Sequence, residues 1–219
     1  MADNVIDNLK KLYVQWSGSE VDRIEELPAH GSYRKYYRLY SGGQSVIAAH
    51  NEDKAENIAF LKFSRQFRKA GMPVPEIFAD DEKHDIYLEE DLGDETLFSY
   101  LSEIRQKEGF SDNIIAMYEK VVNILPQFQI AAGKEIDYSV CYPRHSFDKQ
   151  SMMWDLNYFK YYFLKLAQIP FDEQKLEDDF QKFSDFLLSA EREFFLYRDF
   201  QSRNIMLVDG NPYFIDYQG

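Results

Sequence analysis

Three polar side chains near the end of the sequence have types and a spacing that could bind a metal ion and move a proton. Asp199 and Asn204 lie five residues apart in a polar loop that leads into the apolar segment NIMLV. Asp216 ends the next apolar segment, PYFID. If the two segments form a hairpin, all three side chains meet at one end of it.

Oxygen atoms in this arrangement suit magnesium. The ion takes one or two protein ligands, here Asn204 and Asp216, and completes its shell with water and phosphate oxygens. Asp199 is not needed for the metal and could accept a proton from an attacking hydroxyl. The D-x-x-x-x-N spacing is weak evidence by itself, because about half a match is expected by chance in a chain of this length. Whether these residues form a magnesium site must therefore be judged from the surrounding elements and motifs.

Length, charge and cysteine content exclude several classes of protein. The 219 residues suffice for one large domain or for two lobes. The net charge of −13, with no cluster of Lys and Arg, argues against a nucleic acid or an anionic membrane as partner. The single Cys141 allows no internal disulfide, and the four histidines lack metal-ligand spacing. No signal peptide or membrane-spanning run is visible, so we expect a reduced, cytoplasmic setting.

The first ninety or so residues predict a small antiparallel sheet. Apolar residues from Val5 to Trp16 recur at helical spacing, and a second helix is expected from Lys54 to Ala70, closed by Gly71. Between and after these helices, five short segments have the composition of strands. These segments are VDRIEEL, SYRKYYRLY, QSVIAAH, EIFAD and DIYLEE, the second and third joined by Gly42-Gly43.

The rest of the chain is predicted to be mostly helical, which makes the fold class α+β. Long helical periodicities follow the segment DLGDE. We expect two apolar stripes, from Met152 to Leu166 and from Leu176 to Leu187, to pack in a core rather than to contact a cofactor. The last two segments, NIMLV and PYFID, predict a hairpin closed by Asp209-Gly210-Asn211.

Two motifs resemble those of the protein-kinase-like fold. The string from Tyr197 to Asn204 is similar to the catalytic loop H-R-D-x-x-x-x-N, and the segment from Ile215 to Gly219 is similar to the metal-binding D-F-G. Within that fold the chain resembles the aminoglycoside phosphotransferase and choline kinase superfamily, and in it a bacterial branch of anomeric kinases of N-acetylmuramate and N-acetylglucosamine. The segments GSYRKYYRL, LEEDLGDETL and MMWDLNYF share this resemblance, which spans nearly the whole chain.

The resemblance implies a two-lobed fold and assigns roles to residues. It implies a nucleotide-binding lobe at residues 1–90, a hinge at 91–94 and an incomplete helical lobe at 95–219. Asp199 corresponds to the catalytic base, and Asn204 and Asp216 correspond to the magnesium ligands. The implied cofactors are ATP and Mg²⁺. The turn over the nucleotide phosphates would comprise Gly31, Ser32, Tyr33 and Arg34, and the backbone from Glu90 to Leu92 would bind adenine.

The sequence departs from the family pattern at three points. Tyr197 replaces a histidine, but a phenol can also bond to backbone. The strand that normally ends in a phosphate-binding lysine reads VIAAHNED, with His50 near the lysine position as an ordinary strand-end residue. Arg34, Arg38 or Lys54 could supply the missing cation, with Glu52 or Glu56 as partner.

The third departure is that related kinases continue beyond the D-F-G position with helices that build the acceptor cleft. The chain therefore resembles the front portion of a longer protein. We expect uncovered apolar surface on the helical lobe, which favours self-association or a covering segment.

The activity that the resemblance implies is transfer of a phosphoryl group from ATP to a hydroxyl of a small molecule, with an amino sugar favoured as acceptor. One alternative is an aminoglycoside- or choline-type kinase, because cationic acceptors suit an acidic protein. A second alternative is a non-catalytic nucleotide-binding module, which the missing strand lysine and the chain's end would explain.

Overall fold

The computed structural model describes residues 2–28 and 34–218. Gly31, Ser32 and Tyr33, which were expected to form the turn over the nucleotide phosphates, lie outside the described residues. By contact density the chain divides into two compact units, Met1–Pro143 with Tyr197–Gly219, and Arg144–Leu196. The lobe boundaries at residues 90–95 stay a prediction.

A five-stranded antiparallel sheet forms the first part of the chain, as the sequence predicts. Its strand order is β1-β2-β3-β5-β4, and one helix, α2, is inserted between β3 and β4. The elements are α1 (Ala2–Ser17), β1 (Arg23–Glu26), β2 (Lys35–Ser41), β3 (Gln44–His50), α2 (Lys54–Lys69), β4 (Ile77–Asp81) and β5 (Ile86–Glu90). His50 is the last residue of β3, in agreement with its interpretation as a strand-end residue.

The turn between β2 and β3 requires its two glycines. Ser41 pairs with Gln44, so only Gly42 and Gly43 remain for the loop. Their φ angles are +57° and +84°. A two-residue loop with positive φ at both positions follows the right-handed twist of the strands, and glycine adopts it without a steric penalty.

The two faces of the sheet carry different kinds of residue. Side chains alternate along each strand, and one set, including Leu39, Ala48 and Leu88, packs in a buried core with Leu9 and Leu12 of α1. The alternate positions face the other way. They carry Tyr36 and Arg38 on β2, Ile47 and Ala49 on β3, and Tyr87 and Glu89 on β5. The face opposite α1 therefore collects polar and charged groups.

The remaining elements are helices and one hairpin. They are α3 (Leu97–Glu108), α4 (Asp112–Pro126), α5 (Lys149–Phe159), α6 (Glu173–Leu187), β6 (Ile205–Val208) and β7 (Asn211–Phe214), with π-helical turns at Gln127–Ala131 and Lys160–Leu164. No helix in residues 2–28 or 34–218 is long and apolar enough to cross a membrane.

The final hairpin differs from the sequence prediction in its loop. Asn211 pairs with Val208, so the loop contains only Asp209 and Gly210 and not three residues. Both loop residues have positive φ, 50° and 71°. Aspartate and glycine tolerate this region, so the tighter turn forms and Asn211 joins the strand.

An aromatic cluster joins this hairpin to helix α2. Phe128, which is fully buried, lies 4.9 Å from Phe67 of α2 and 5.2 Å from Phe214 of β7 between ring centroids. Its ring also contacts Tyr197 at 5.7 Å. Offset and edge contacts of this kind stabilise beyond the area they bury. The loop that follows Tyr197 therefore starts from a fixed position.

The unit Arg144–Leu196 leaves many apolar side chains exposed. Met152 and Phe180 are buried as predicted. The core prediction is wrong for Phe159, Phe163 and Leu166, which are 44%, 54% and 73% exposed. Phe183 and Leu187 of α6 are likewise exposed. Periodicity indicated a face that packs, but too few elements of this unit cover that face.

We expect this apolar surface to promote self-association. Light scattering at rising protein concentration should show a growing mean mass, and the variants Tyr162→Ser and Phe186→Ser should reduce it, because both rings are exposed on this unit. Phe110→Ser, which removes an exposed ring outside the unit, serves as control. A clean monomer at high concentration contradicts this expectation.

We expect Phe128→Ala to lower the free energy of unfolding by about 3–5 kcal/mol, because it leaves a cavity within the aromatic cluster. Phe110→Ala is the matched control, since its ring is 69% exposed, and its cost should be about 0.5 kcal/mol or less. Urea denaturation followed by circular dichroism measures both. Equal costs for the two substitutions would show that the cluster does not hold this region together.

Candidate active site

The side-chain amide of Asn204 connects the polar loop to the segment after the hairpin. Its Nδ2 donates to the backbone carbonyl of Asp199 at 3.1 Å and to Oδ2 of Asp216 at 3.0 Å. These two bonds bring together the three residues that the sequence predicts to meet. The carboxylates of Asp199 and Asp216 are both exposed, so a ligand can reach them.

Backbone bonds and one buried phenol shape the loop between them. The amide of Gln201 donates to the carbonyl of Asp199 at 2.8 Å, and the amide of Asn204 donates to the carbonyl of Gln201 at 2.9 Å. The hydroxyl of Tyr197 donates to the carbonyl of Ile215. Burial, together with Tyr217 and Asp216, raises the pKa of Tyr197 well above its usual range, so the phenol stays a donor. The predicted backbone bond of Tyr197 is confirmed.

Asp216 lies two residues beyond β7 and does not end that strand, which corrects the sequence prediction. Its φ of 62° is in the left-handed region, which a β-strand cannot contain. The amide of Ile215 still continues the pairing of the hairpin, because it donates to the carbonyl of Asn204 at 3.1 Å. Nε2 of Gln218 donates to Oδ1 of Asp216 at 2.9 Å. Strained backbone of this type is found where a side chain must be aimed.

The oxygens of this site fit magnesium better than a metal that needs a full set of protein ligands. Asp216 offers two carboxylate oxygens, and Oδ1 of Asn204 accepts no hydrogen bond from the described residues. Within residues 2–28 and 34–218, no group of three or more His, Cys, Asp or Glu side chains could hold a metal. Two protein ligands completed by water and phosphate suit magnesium, which keeps several waters.

Of the three candidate cations, Arg38 and Lys54 have other roles. Arg38 is buried, and its guanidinium binds Asp91 at 2.7 Å and Asp94 at 2.8 Å. These hydrogen bonds to carboxylates raise the pKa of Arg38. Lys54 has a side chain that is 67% exposed, and its ammonium lies 3.8 Å from Asp85. Arg38 thus fixes the segment after β5, and Lys54 sits on the surface.

Arg34 is the buried cation beside helix α2. It is 4% exposed, and its Nη2 donates to Oε1 of Glu56 at 2.9 Å. Its guanidinium carbon lies 5.0 Å from the ring centroid of Phe60, a distance typical of a cation–π contact. Burial alone would disfavour the charge, but Tyr87, Tyr36 and Glu56 raise the pKa of Arg34 above its ordinary value. The group therefore stays protonated.

The two end residues of the predicted adenine-binding segment, Glu90 and Leu92, differ in their backbone hydrogen bonds. The amide of Glu90 donates to the carbonyl of Glu76 at 2.9 Å, so its N–H group is occupied. The backbone N–H and carbonyl of Leu92 form no hydrogen bond with any residue that the structure describes. A base edge could pair with these two groups. Leu92 fits the predicted role better than Glu90.

Glu89 was missed at the sequence level. It lies on the sheet face opposite α1, it is 7% exposed, and its Oε2 has no hydrogen-bond partner among the described residues. Desolvation raises the pKa of Glu89 to about 8, although Arg34 acts in the opposite direction. The sequence did contain a signal for Glu89. It lies two residues after Tyr87 in a mostly apolar strand, and an acid at such a position is rarely buried without a specific role.

Glu56 was considered only as one of two possible partners of the missing cation. The structure gives it two donors, Nη2 of Arg34 and Nδ2 of Asn51, the latter at 2.8 Å. Glu52, the other possible partner, is exposed. Glu56 lies in the first turn of α2 and Glu52 just before that helix, and their spacing in the sequence did not show which of them would be the partner.

Comparisons with known proteins identify relatives in sequence and in fold. The N-acetylmuramate/N-acetylglucosamine kinase of Pseudomonas aeruginosa is 26% identical in a match 217 positions long that covers 96% of this chain and 60% of that protein. The choline kinase LicA of Streptococcus pneumoniae has a similar fold, with a TM-score of 0.62 at 13% identity over 98% of this chain and 69% of that one. The complex of APH(2″)-IIa with streptomycin and ATP gives a TM-score of 0.59 at 13% identity, covering all of this chain and 71% of that one.

The chain spans 54–60% of the length of the curated relatives it matches. The similarity to the solved structures, at these identities, concerns the fold, which is kinase-like and α+β. Residues 23–219 match the sequence profile of the phosphotransferase enzyme family. Because this match covers nearly all of the sequence, the chain belongs to the phosphotransferase enzyme family.

Proposed function

We propose that this protein transfers a phosphoryl group from ATP, with magnesium, to a hydroxyl of a small molecule, and that the acceptor is an amino sugar. The observation that carries the proposal is the position of Asn204, whose amide bonds to both Asp199 and Asp216. It unites a candidate base and a candidate metal ligand on adjacent segments. Membership in the phosphotransferase enzyme family supports this chemistry.

Asp199 is the group that accepts the proton of the acceptor hydroxyl. Its carboxylate is exposed, while its backbone carbonyl is held by the amide of Gln201 and by Asn204. The side chain can therefore contact a ligand without giving up a structural bond of the carbonyl. Holding the hydroxyl in line and removing its proton as it attacks is what a positioned base contributes.

Asp216 and Asn204 are the proposed magnesium ligands. Magnesium held by these two residues would supply positive charge that offsets the negative charge developing on the phosphate oxygens. The protein holds the carboxylate of Asp216 through bonds from Gln218 and from Nδ2 of Asn204. On metal binding, Oδ1 of Asn204 would replace Nδ2, and the ion would take the place of the bond between Asn204 and Asp216.

The nucleotide is proposed to lie between the open backbone of Leu92 and the residues that precede β2. The base would pair with the N–H and carbonyl of Leu92. The phosphates would lie near Gly31, Ser32, Tyr33 and Arg34, the last of which is the buried cation beside α2. A cytoplasmic location, where ATP and magnesium are abundant, is part of the same proposal.

The choice of an amino sugar rests on the curated relatives, which are kinases of N-acetylmuramate and N-acetylglucosamine. The structural neighbours include a choline kinase and an aminoglycoside phosphotransferase, so these acceptor classes belong in the test. We expect ADP release, measured by a coupled assay, to depend on N-acetylmuramate or N-acetylglucosamine. Release with only choline or aminoglycosides would contradict the amino-sugar acceptor, and release with none would contradict the activity.

We expect Asp199→Ala and Asp199→Asn to lower kcat by about 100- to 10,000-fold while the Kd for ATP stays nearly unchanged, because a lost base affects chemistry and not nucleotide binding. Asp209→Asn is the control, since Asp209 is an exposed residue of the hairpin turn whose φ of 50° asparagine tolerates. An Asp199 variant that keeps more than about a tenth of the wild-type rate contradicts the assigned role.

We expect Asp216→Asn to raise the magnesium concentration needed for half-maximal ATP binding by at least about 10-fold, because it removes the only carboxylate of the proposed ligand pair. Calorimetric ATP titrations at several magnesium concentrations measure the shift. Asp209→Asn again serves as control. Identical magnesium curves for wild type and the Asp216 variant would show that this carboxylate does not bind the metal.

A further inference from the structure

We propose that Arg34, held by Glu56, is the cation that binds the nucleotide phosphates, in place of the strand lysine that this chain lacks. The proposal rests on the function proposed above. It moves the cation from strand β3 to the residue that directly precedes β2 and exchanges a lysine for an arginine.

Strand β3 itself offers no fixed charge. Its residues are Gln44–His50, and no lysine or arginine occurs among them. A histidine does not carry the permanent positive charge of a lysine or an arginine, so His50 is a poor replacement for the phosphate-binding lysine. The cation must therefore come from another element. Arg34 directly precedes β2, and β2 is hydrogen-bonded to β3 along its whole length.

Arg34 is held in a single position by contacts on several sides. Nη2 donates to Glu56, and Nη1 lies 3.4 Å from the hydroxyl of Tyr36. The guanidinium lies over the ring of Phe60 and, at 5.9 Å, near that of Tyr87. A planar guanidinium that is already ordered loses little entropy when it bonds a phosphate, and it can do so through two nitrogens.

The ring of Phe60 places Arg34 near the proposed metal ligand. Tyr217, which directly follows Asp216, stacks on this ring with centroids 5.8 Å apart. Arg34 contacts the same ring. The charge of Asp216 also contributes to the raised pKa of Tyr36, for which burial is the main cause. Arg34 and Asp216 therefore border one region, where phosphates could meet both the guanidinium and the magnesium.

Glu56 is a positioning residue, because it acts through Arg34. Its two carboxylate oxygens are taken by Arg34 and by Asn51, so its side chain is fixed. It lies in the first turn of α2, whose N-cap Asp53 accepts from the backbone amides of Ala55 and Glu56, each at 3.1 Å. The hydroxyl of Tyr142 donates to the other oxygen of Asp53. These bonds fix the first turn of α2 and with it the backbone of Glu56.

Arg34 interacts with three acids, Glu56, Glu89 and Asp53. Glu56 bonds to it directly. Burial raises the pKa of Glu89 to about 8, which favours its neutral form, and Asp53, whose pKa is lowered chiefly by the bond from Tyr142, also interacts with Arg34. An incoming phosphate would therefore meet a guanidinium that Glu56 already holds in place.

The test compares ATP with adenosine, which shares the base and ribose but has no phosphates. Wild-type protein should bind ATP more tightly, and the ratio of the two Kd values reports the phosphate contacts. We expect Arg34→Met to reduce this ratio by about 10- to 100-fold, as the loss of a charge-assisted hydrogen bond implies, with the Kd for adenosine unchanged. Lys54→Met removes the exposed candidate cation and should leave the ratio as in wild type.

Two milder variants keep the test decisive if Arg34→Met does not fold, as thermal unfolding will show. Glu56→Gln should lower the ratio several-fold through misplacement of Arg34, and Arg34→Lys should recover part of the loss because it keeps the charge. A wild-type ratio in Arg34→Met or, if that variant does not fold, in both Arg34→Lys and Glu56→Gln overturns this inference but leaves the proposed function standing. A wild-type protein that shows no preference for ATP overturns both.

Discussion

The candidate active site depends on one side-chain amide. Asn204 directly precedes β6, and its Nδ2 donates to the carbonyl of Asp199 and to the carboxylate of Asp216. The two segments are also joined by backbone contacts, because the hydroxyl of Tyr197 donates to the carbonyl of Ile215 and the amide of Ile215 donates to the carbonyl of Asn204. The amide of Asn204 adds the bond that reaches the carboxylate of Asp216 itself. The chemistry proposed here requires both acids in defined places.

The rest of the fold supplies the rigidity that this arrangement needs. Tyr197 and Tyr217, which flank the site along the chain, are both buried in aromatic contacts with Phe67 and Phe128. The same contacts join the hairpin to α2, which also carries Glu56. A change in the position of α2 would therefore move both the proposed phosphate-binding cation and the residues beside the proposed metal ligand. Because both sets of residues pack on α2, this helix could fix the position of the nucleotide phosphates relative to the metal ion.

The sequence predicts this organisation where the signals are local. Alternation, helical spacing and the Gly42-Gly43 turn give the five strands and their inserted helix, and motif spacing predicts the meeting of Asp199, Asn204 and Asp216. Prediction from the sequence fails where a conformation or a contact depends on residues that are far apart in the chain. The spacing of residues does not reveal the left-handed backbone of Asp216 or the bonds of its carboxylate to Gln218 and Asn204, and the choice of Arg34 over Arg38 depends on which acids lie nearby. The exposed stripes of residues 144–196 show the same limit, because periodicity identifies an apolar face but not what covers it.

The central claim is that a phosphoryl group passes from ATP to a hydroxyl aligned by Asp199. Phosphorus NMR of the protein with ATP, magnesium and N-acetylmuramate or N-acetylglucosamine follows the atom that moves. The account predicts that the γ-phosphate signal of ATP declines while the signal of a sugar phosphate monoester grows at the same rate. A γ-phosphate that stays intact, or that appears only as inorganic phosphate, would contradict it.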